Sequence, residues 1–171
     1  MSAPPPAPVR EPAWSLSRSA ISLWVAQGVV TALFEAAVVA ALIVFVPGDA
    51  GWWSTLVRWG GPALVLLTLV LDIGVQPRLR YRVHRWEVTD EAVYTQTGWL
   101  TRTWTLVPIA RIQTVDVTRG VLQQVFGLAT VAVLTASSQG TVRIPHLGAD
   151  VARRVADDLA RRAELVRDEA T

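Results

Sequence analysis

The chain lacks cysteine and lysine, and it has only two histidines among its 171 residues. Without cysteine it can form no disulfide, no thiolate nucleophile and no cysteine-based zinc site. Charged residues make up only 18% of the chain, and the formal net charge is +2. That charge is too small to predict a nucleic-acid partner.

Motifs for catalysis and cofactor binding are also missing from the sequence. It contains no Gly-x-Ser-x-Gly, no Walker-type phosphate loop and no dinucleotide fingerprint. His84 and His146 have no metal-ligand spacing, so we expect them to be surface or turn residues. The sequence therefore predicts a protein that is not an enzyme, with no metal, no cofactor and no evident small-molecule substrate.

Apolar sequence is abundant, since hydrophobic residues make up 51% of the chain. It is concentrated in two runs, Ala20–Val46 and Trp52–Val75, each long enough to cross the ~30 Å hydrocarbon core as a helix. A chain of this length has too little other sequence to bury two such helices. We therefore predict a transmembrane helical hairpin over residues 20–76, preceded by a disordered Pro/Ala-rich tail over residues 1–19.

Arginines lie before the first predicted span and after the second, whereas the turn between the spans has none. The positive-inside bias then places both termini in the cytoplasm and makes the chain a two-pass protein of the cell membrane. The arginines after the second span also offer a possible membrane-surface contact, at ~1 kcal/mol per charge near anionic lipid, although topology alone explains them. These residues are Arg78, Arg80, Arg82 and Arg85.

Four polar residues lie inside the spans, where an ionisable group is costly unless it is paired. Helical rise places Glu35 and Arg58 close enough in depth for an ion pair across the hairpin. Gln27 and Asp72 lie near the cytoplasmic interface and could bond to each other. These contacts either set the register of the hairpin or form part of a proton or substrate path, which would require an oligomer.

Small residues recur every four positions on the first span, at Gly28, Ala32, Ala36 and Ala40. Such a stripe permits close approach of another helix backbone. The sequence leaves open whether the partner is the second span or another subunit.

From Tyr81 onward the pattern changes to short, Val- and Thr-rich segments with alternating hydrophobicity. They predict a small antiparallel β-sheet or partly open barrel. The last segment, residues 148–171, has one apolar face and one charged face, which predicts a surface helix packed on the sheet. Residues 77–171 are thus predicted to form a cytoplasmic domain.

This arrangement resembles the bacterial pleckstrin-homology-like (PH-like) family of membrane-flanked proteins, the YdbS-like type. The resemblance covers about residues 20–163 and implies a fold and a topology, but little about a ligand. It also implies a larger protein with several such domains as a plausible partner. Two departures are Arg119 before Gly120, where members often carry Gln, and the Thr135–Ser138 ending. The matching positions are Val107, Pro108, Arg111, Ile112, Gln113, Gly120, Phe126, Gly127, Leu128 and Ala129.

A glycine-bounded segment, Gly120–Gly127, interrupts the alternating pattern with helical spacing. Val121, Leu122, Val125 and Phe126 share one side of such a turn, while Gln123 and Gln124 share the other. We expect the apolar side to plug one end of the barrel, with the glycines supplying positive φ or a close backbone approach. The alternative is that this side lies against the membrane or a partner.

Three functions are compatible with these features. The first is a membrane-anchored interaction module that assembles with itself or with a related membrane protein. The second is a module that binds anionic lipid or responds to envelope stress, and the third is a small transporter accessory subunit using Glu35. The lipid bilayer is a partner in all three.

Overall fold

The structure is a computed structural model that describes residues 11–46, 48, 51–98, 100–135 and 140–169. The chain divides into two compact units. One comprises residues 20–79, and the other combines residues 1–19 with residues 80–171.

The first unit is a helical hairpin. Helix α1 spans Ser19–Phe45. The second span is continuously helical over Trp52–Val83, with α-helical segments α2 (Trp52–Thr55), α3 (Gly61–Leu69) and α4 (Gln76–Val83). Two π-helical turns, Leu56–Gly60 and Val70–Val75, separate them. Both spans are long and apolar enough to cross a membrane. The segment Gly60-Gly61-Pro62 lies where the first π turn meets α3.

Close contacts between the spans show that they run antiparallel. A Cβ added to Gly28 would lie 3.0 Å from the Asp72 Cβ, and one added to Gly61 would lie 2.7 Å from Val39 Cγ1. Neither glycine could be exchanged for a larger residue without a shift of its neighbour. At the start of the second span, the Ser54 hydroxyl donates a hydrogen bond to the Gly51 carbonyl at 2.8 Å.

The second unit contains two antiparallel sheets. The first has the order β1-β2-β3-β4 and the second the order β5-β6-β7. A 3₁₀ turn, Ile109–Arg111, joins the sheets, and a short helix α5 (Val121–Val125) joins β5 to β6. The strands are β1 Trp14–Ser15, β2 Arg85–Val88, β3 Ala92–Thr97, β4 Thr103–Pro108, β5 Ile112–Thr118, β6 Leu128–Thr135 and β7 Thr141–Gly148.

Helix α6, Ala149–Glu169, packs on the second sheet and on the 3₁₀ turn. Its buried stripe contains Ala152, Ala156, Leu159 and Ala163, so small side chains bring the helix close to the sheet. Arg162 Nε donates to Asp158 Oδ2 at 2.8 Å, and the same guanidinium also pairs with Asp90 in the β2–β3 turn. Two predicted elements are thereby confirmed, the antiparallel β domain and the C-terminal surface helix.

The prediction of a disordered tail is wrong for residues 11–19. Trp14 pairs with Trp86, and Ser15 pairs with Arg85, so the segment before α1 adds a strand to a sheet formed after the second span. The Ala13 amide donates to Glu87 Oε2 at 3.0 Å, and Leu16 is buried. A two-residue strand has no periodicity, which is why the sequence pattern gave no sign of it. Residues 1–10 lie outside the described part.

The first strand of the domain also starts later than predicted. Residues 81–83 were expected to be extended, but they belong to α4, and β2 begins only at Arg85. The helix thus continues past the predicted boundary at residues 76–77, and the two units divide between Leu79 and Arg80. Alternating Tyr81-Arg82-Val83 resembles a strand locally, but the preceding helix simply continues through it.

Candidate functional site

The carboxylate inside the hairpin is bonded to a residue that the sequence analysis overlooked. Glu35 Oε2 accepts a hydrogen bond from the Thr68 hydroxyl at 2.5 Å. Arg58 instead extends towards the turn, since its Nη2 would lie 3.4 Å from a Cβ on Gly48. Among the described side chains no ion pair joins Glu35 to Arg58. An arginine near a helix end keeps its charge in the interface, which explains its direction. Thr68 could have been found by treating every polar residue of the spans as a set.

The other predicted polar contact is also replaced. Gln27 is exposed and Asp72 is half-buried. Within the described residues no hydrogen bond joins these two side chains; Asp72 lies instead against Gly28. At Gly28 and Asp72 the two spans therefore meet through close packing, not through a side-chain hydrogen bond.

The small-residue stripe of α1 divides into two halves. Gly28 and Ala32 are buried, whereas Ala36 and Ala40 are exposed. The contact of Gly28 with Asp72 shows that the second span uses the first half. The second half is open to the surroundings of the hairpin.

A cleft of about 570 Å³ lies between the two spans in the half of the hairpin nearer the turn. Glu35 is its acidic lining residue, and Gly60 and Gly61 belong to its opposite wall. The remaining lining is aliphatic or aromatic. The cleft is therefore apolar except for one carboxylate, a group that is costly inside a membrane unless it is paired.

The arginines after the hairpin occupy two elements. Arg78, Arg80 and Arg82 lie on α4, and Arg85 opens β2. Arg78 and Arg82 are exposed and fall on one side of the helix, while Arg80 and Arg85 are partly buried. The Arg78 guanidinium also donates to the Gly74 carbonyl. Arg78 and Arg82 are thus the more exposed pair among these four arginines.

Helix α5 is oriented opposite to the prediction. Val121 is 79% exposed, Val125 is 75% exposed and Leu122 is 42% exposed, so the expected plug is wrong. Phe126 is only half-buried. Gly127 has φ +66° as expected, whereas Gly120 has neither a positive φ nor a close neighbour. The amphipathic spacing was identified correctly, but the side that faces inward was not.

The inward side of α5 is polar and is held by one amide side chain. Gln123 Oε1 accepts from the Gly120 amide at 3.1 Å. Its Nε2 donates to Thr130 Oγ1 at 2.9 Å and lies 3.2 Å from His146 Nδ1. These contacts use both ends of the amide, so the apolar residues on the other side must point outward. We call Gln123, Thr130 and His146 the polar cluster.

His146 occupies a bulge of β7 and has φ +54°, which is unusual for a residue with a side chain. Burial lowers the pKa of His146 below its usual value, and the nearby His84 and Arg80 lower it further. The imidazole is therefore neutral at pH 7 and can accept from Gln123 through Nδ1. Sequence analysis placed this residue in a turn and missed its partners.

The backbone of Ser17, near the start of α1, contacts the polar cluster. Its amide donates to the His146 carbonyl at 3.2 Å, and α1 begins at Ser19. His84, the residue between α4 and β2, is close enough to lower the pKa of His146. Ser17 and His84 thus both lie near the polar cluster.

The residues that carried the family resemblance have structural positions. Val107 and Ile112 are buried, Pro108 ends β4, and Arg111 and Gln113 are exposed. Gln113 lies at an irregularity in the β5–β6 register. Arg119, one of the departures from the family pattern, lies beside α5, where its Nε donates to the Leu128 carbonyl at 3.1 Å. The Thr135–Ser138 departure falls largely outside the described residues.

The remaining chemistry of the described residues is sparse. They contain no group of three or more His, Cys, Asp or Glu side chains able to hold a metal ion. Gln96 Oε1 is buried without a partner beside a cavity of about 10 Å³. That volume is about one water molecule, so this cavity is too small for a ligand.

Taken with the two apolar spans, these features define a class: a membrane protein in which a transmembrane helical hairpin carries a PH-like antiparallel β domain closed by a C-terminal helix. The chain belongs to the bacterial PH domain family, whose model matches residues 21–163. It is similar to the UPF0699 transmembrane protein YdbS of Bacillus subtilis (strain 168), with 33% identity over 107 residues. The match covers 63% of this chain and 66% of that protein, slightly less than two thirds of its length. No solved structure matches the chain.

Proposed function

We propose that the chain is a membrane-anchored interaction module on the cytoplasmic face of the cell membrane, which assembles with itself or with a related membrane protein. In this proposal the chain is not an enzyme. The β domain is the presented part, and the hairpin both anchors it and supplies a contact surface for a second membrane helix.

The pairing of β1 with β2 supports the two-pass topology. β1 precedes the first span and β2 follows the second, yet they share one sheet. A chain that crosses the membrane between two paired strands must cross it an even number of times. The arginines at both ends then favour the cytoplasmic side.

The unused surface of the hairpin carries the assembly part of the proposal. Ala36 and Ala40 are exposed small residues on α1, the pattern at which another helix packs closely. The neighbouring cleft contains Glu35, whose intramembrane carboxylate favours a polar contact with a partner. The two spans of a single chain leave both the exposed alanines and the cleft uncovered.

Cysteine cross-linking in native membranes tests this assembly, because the chain has no cysteine of its own. Ala36→Cys should form a cross-linked dimer, or a cross-link to a co-expressed related membrane protein. Ala32→Cys is the matched control, because that position is buried in the hairpin and should form neither. Equal cross-linking at both positions, or none at Ala36, would contradict the proposal.

Recognition of anionic lipid is the second candidate, and the exposure of Arg78 and Arg82 favours it. Replacing both with Gln should weaken association of the domain surface with vesicles containing anionic lipid, most strongly at low salt. Arg153→Gln on α6 is a control for loss of an exposed arginine elsewhere. An equal effect of both changes would remove this candidate.

A further inference from the structure

We propose that α5 is a bilayer contact: its exposed aliphatic residues, Val121, Leu122 and Val125, insert into the lipid interface. This inference requires the membrane anchorage of the chain but not the protein assembly proposed above.

The orientation of α5 is built into the domain. Gln123 bonds to the Gly120 amide on one side and to Thr130 and His146 on the other. This amide side chain fixes which side of the turn faces inward. The aliphatic residues then project outward, with Val121 and Val125 among the most exposed hydrophobic side chains of the domain.

The position of α5 points to the membrane. The Ser17 amide bonds to the His146 carbonyl, and the His146 ring contacts Gln123 of α5. Ser17 lies just before the start of α1, and His84, beside the same cluster, lies just after the end of α4. Residues 17 and 84, which adjoin the two spans in sequence, therefore lie at the same end of the domain as α5.

The charge around α5 suits a lipid surface. No Asp or Glu occurs between Asp116 and Asp150, whereas Arg119 directly precedes the turn and is exposed. An aliphatic tip beside a cation is the composition of interfacial membrane anchors. An anionic headgroup can approach Arg119 on this stretch. The exposed carboxylate of Asp150 follows Ala149, whose amide donates to the Gly127 carbonyl, and it is paired with Arg153.

The small size of the patch argues against a protein partner at this position. Three aliphatic side chains cover far less than the ~1,000 Å² that a specific protein interface needs. A bilayer requires no such area here, because the anchor already holds the domain at the surface and the insertion is intramolecular.

Site-specific fluorescence in the full-length protein tests the proposal. Val125→Cys carries an environment-sensitive fluorophore, and the protein is reconstituted into nanodiscs at one chain per disc, with nitroxide-labelled lipids. The matched control is Thr141→Cys, an exposed residue at the other end of β7 from His146. We expect the Val125 probe to be blue-shifted and to lose most of its fluorescence to the nitroxide, while the Thr141 probe keeps its fluorescence.

A second pair of variants separates insertion from proximity. Val121→Asp in the Val125→Cys background should abolish the quenching, and Val121→Leu should retain it, with thermal unfolding unchanged in both because Val121 is exposed. A Val125 probe quenched no more than the Thr141 probe would overturn the proposal. A blue shift seen only with several chains per disc would assign α5 to contact between copies and would also overturn it. Neither result depends on cross-linking at Ala36, so the two proposals fail separately.

Discussion

Helices α1 and α6 are built for different surroundings. α1 exposes large hydrophobic side chains such as Leu33 and Phe34, whereas α6 buries Ala152 and Leu159 and exposes its arginines. The first pattern suits lipid, where exposed apolar side chains carry no cost, and the second suits water. Among the described residues, α1 thus exposes many large hydrophobic side chains, whereas α6 exposes one, Leu165.

Helix α5 follows the pattern of α1 although it belongs to the β domain. Its valines are exposed like those of the hairpin, and one of its two glutamines, Gln123, is turned inward. The comparison therefore separates the domain into a part built for water and a turn built for lipid. The predictions below test that division, from the largest expected effect to the smallest.

The largest effect is expected in the core of the domain. Leu159→Ala should lower the free energy of unfolding by about 2–5 kcal/mol, because this α6 side chain is fully buried and its loss leaves a cavity. Leu66→Ala, in the second span, is the matched control, since Leu66 is exposed in the hairpin. Urea unfolding of the purified full-length protein in detergent, followed by tryptophan fluorescence, measures the difference. Equal losses would show that the two regions do not differ as described.

The next effect concerns the inward side of α5. Gln123→Ala should lower the free energy of unfolding by about 1–3 kcal/mol, because it leaves Thr130 and the Gly120 amide without a partner. Gln124→Ala is the control, since Gln124 is exposed and makes only a long contact to the Arg119 carbonyl. The same unfolding measurement applies. Greater destabilisation by the Gln124 change would mean that the opposite side of α5 holds the turn.

The sequence allowed the hairpin and the β domain to be predicted because both depend on repeated patterns. An apolar run long enough to span a membrane has few alternatives, and alternation in β5, β6 and β7 fixes which residues share a face. The contacts within these elements depend instead on single side chains. Thr68 rather than Arg58 meets Glu35 because an arginine can reach the interface, and the sequence does not show where its side chain ends.

Two further features could not be predicted for related reasons. Helical spacing in Val121–Val125 identifies two sides but not which one the domain covers, and that choice depends on Thr130 and His146, which are distant in sequence. β1 is a strand because β2 offers it an edge, not because Trp14 and Ser15 have a strand pattern. Long-range partners decide both cases.

A smaller effect is expected for the carboxylate inside the hairpin. Thr68→Val should reduce the stability of the helix pair by about 1 kcal/mol, because it removes the hydroxyl that donates to Glu35 while keeping the side-chain shape. Thr68→Ser retains the hydroxyl and should restore most of the loss. Unfolding in mixed micelles, with a fluorophore pair across the hairpin, measures the difference. If Ser and Val behave alike, the hydrogen bond does not stabilise the pair.

The smallest effect is a pH dependence that originates in the polar cluster. The pKa of His146 is lowered below its usual value of 6.5 by burial, with further lowering by His84 and Arg80. Between 6.5 and the lower folded value, the unfolded chain binds a proton that the folded chain does not. Stability from this group is therefore complete above about pH 7 and is lost as the pH falls below 6.5.

Protonation also places a hydrogen on His146 Nδ1 opposite the Gln123 amide donor, so the loss should be felt at α5. Thermal unfolding between pH 8 and pH 5 should show a fall that is smaller in His146→Asn, because Asn tolerates the positive φ and does not titrate. His84→Asn serves as the second control, since the nearby His84 contributes to the lowered pKa of His146. If the fall in stability in His146→Asn is as large as in the unchanged protein, α5 is not coupled to pH through His146 and Gln123.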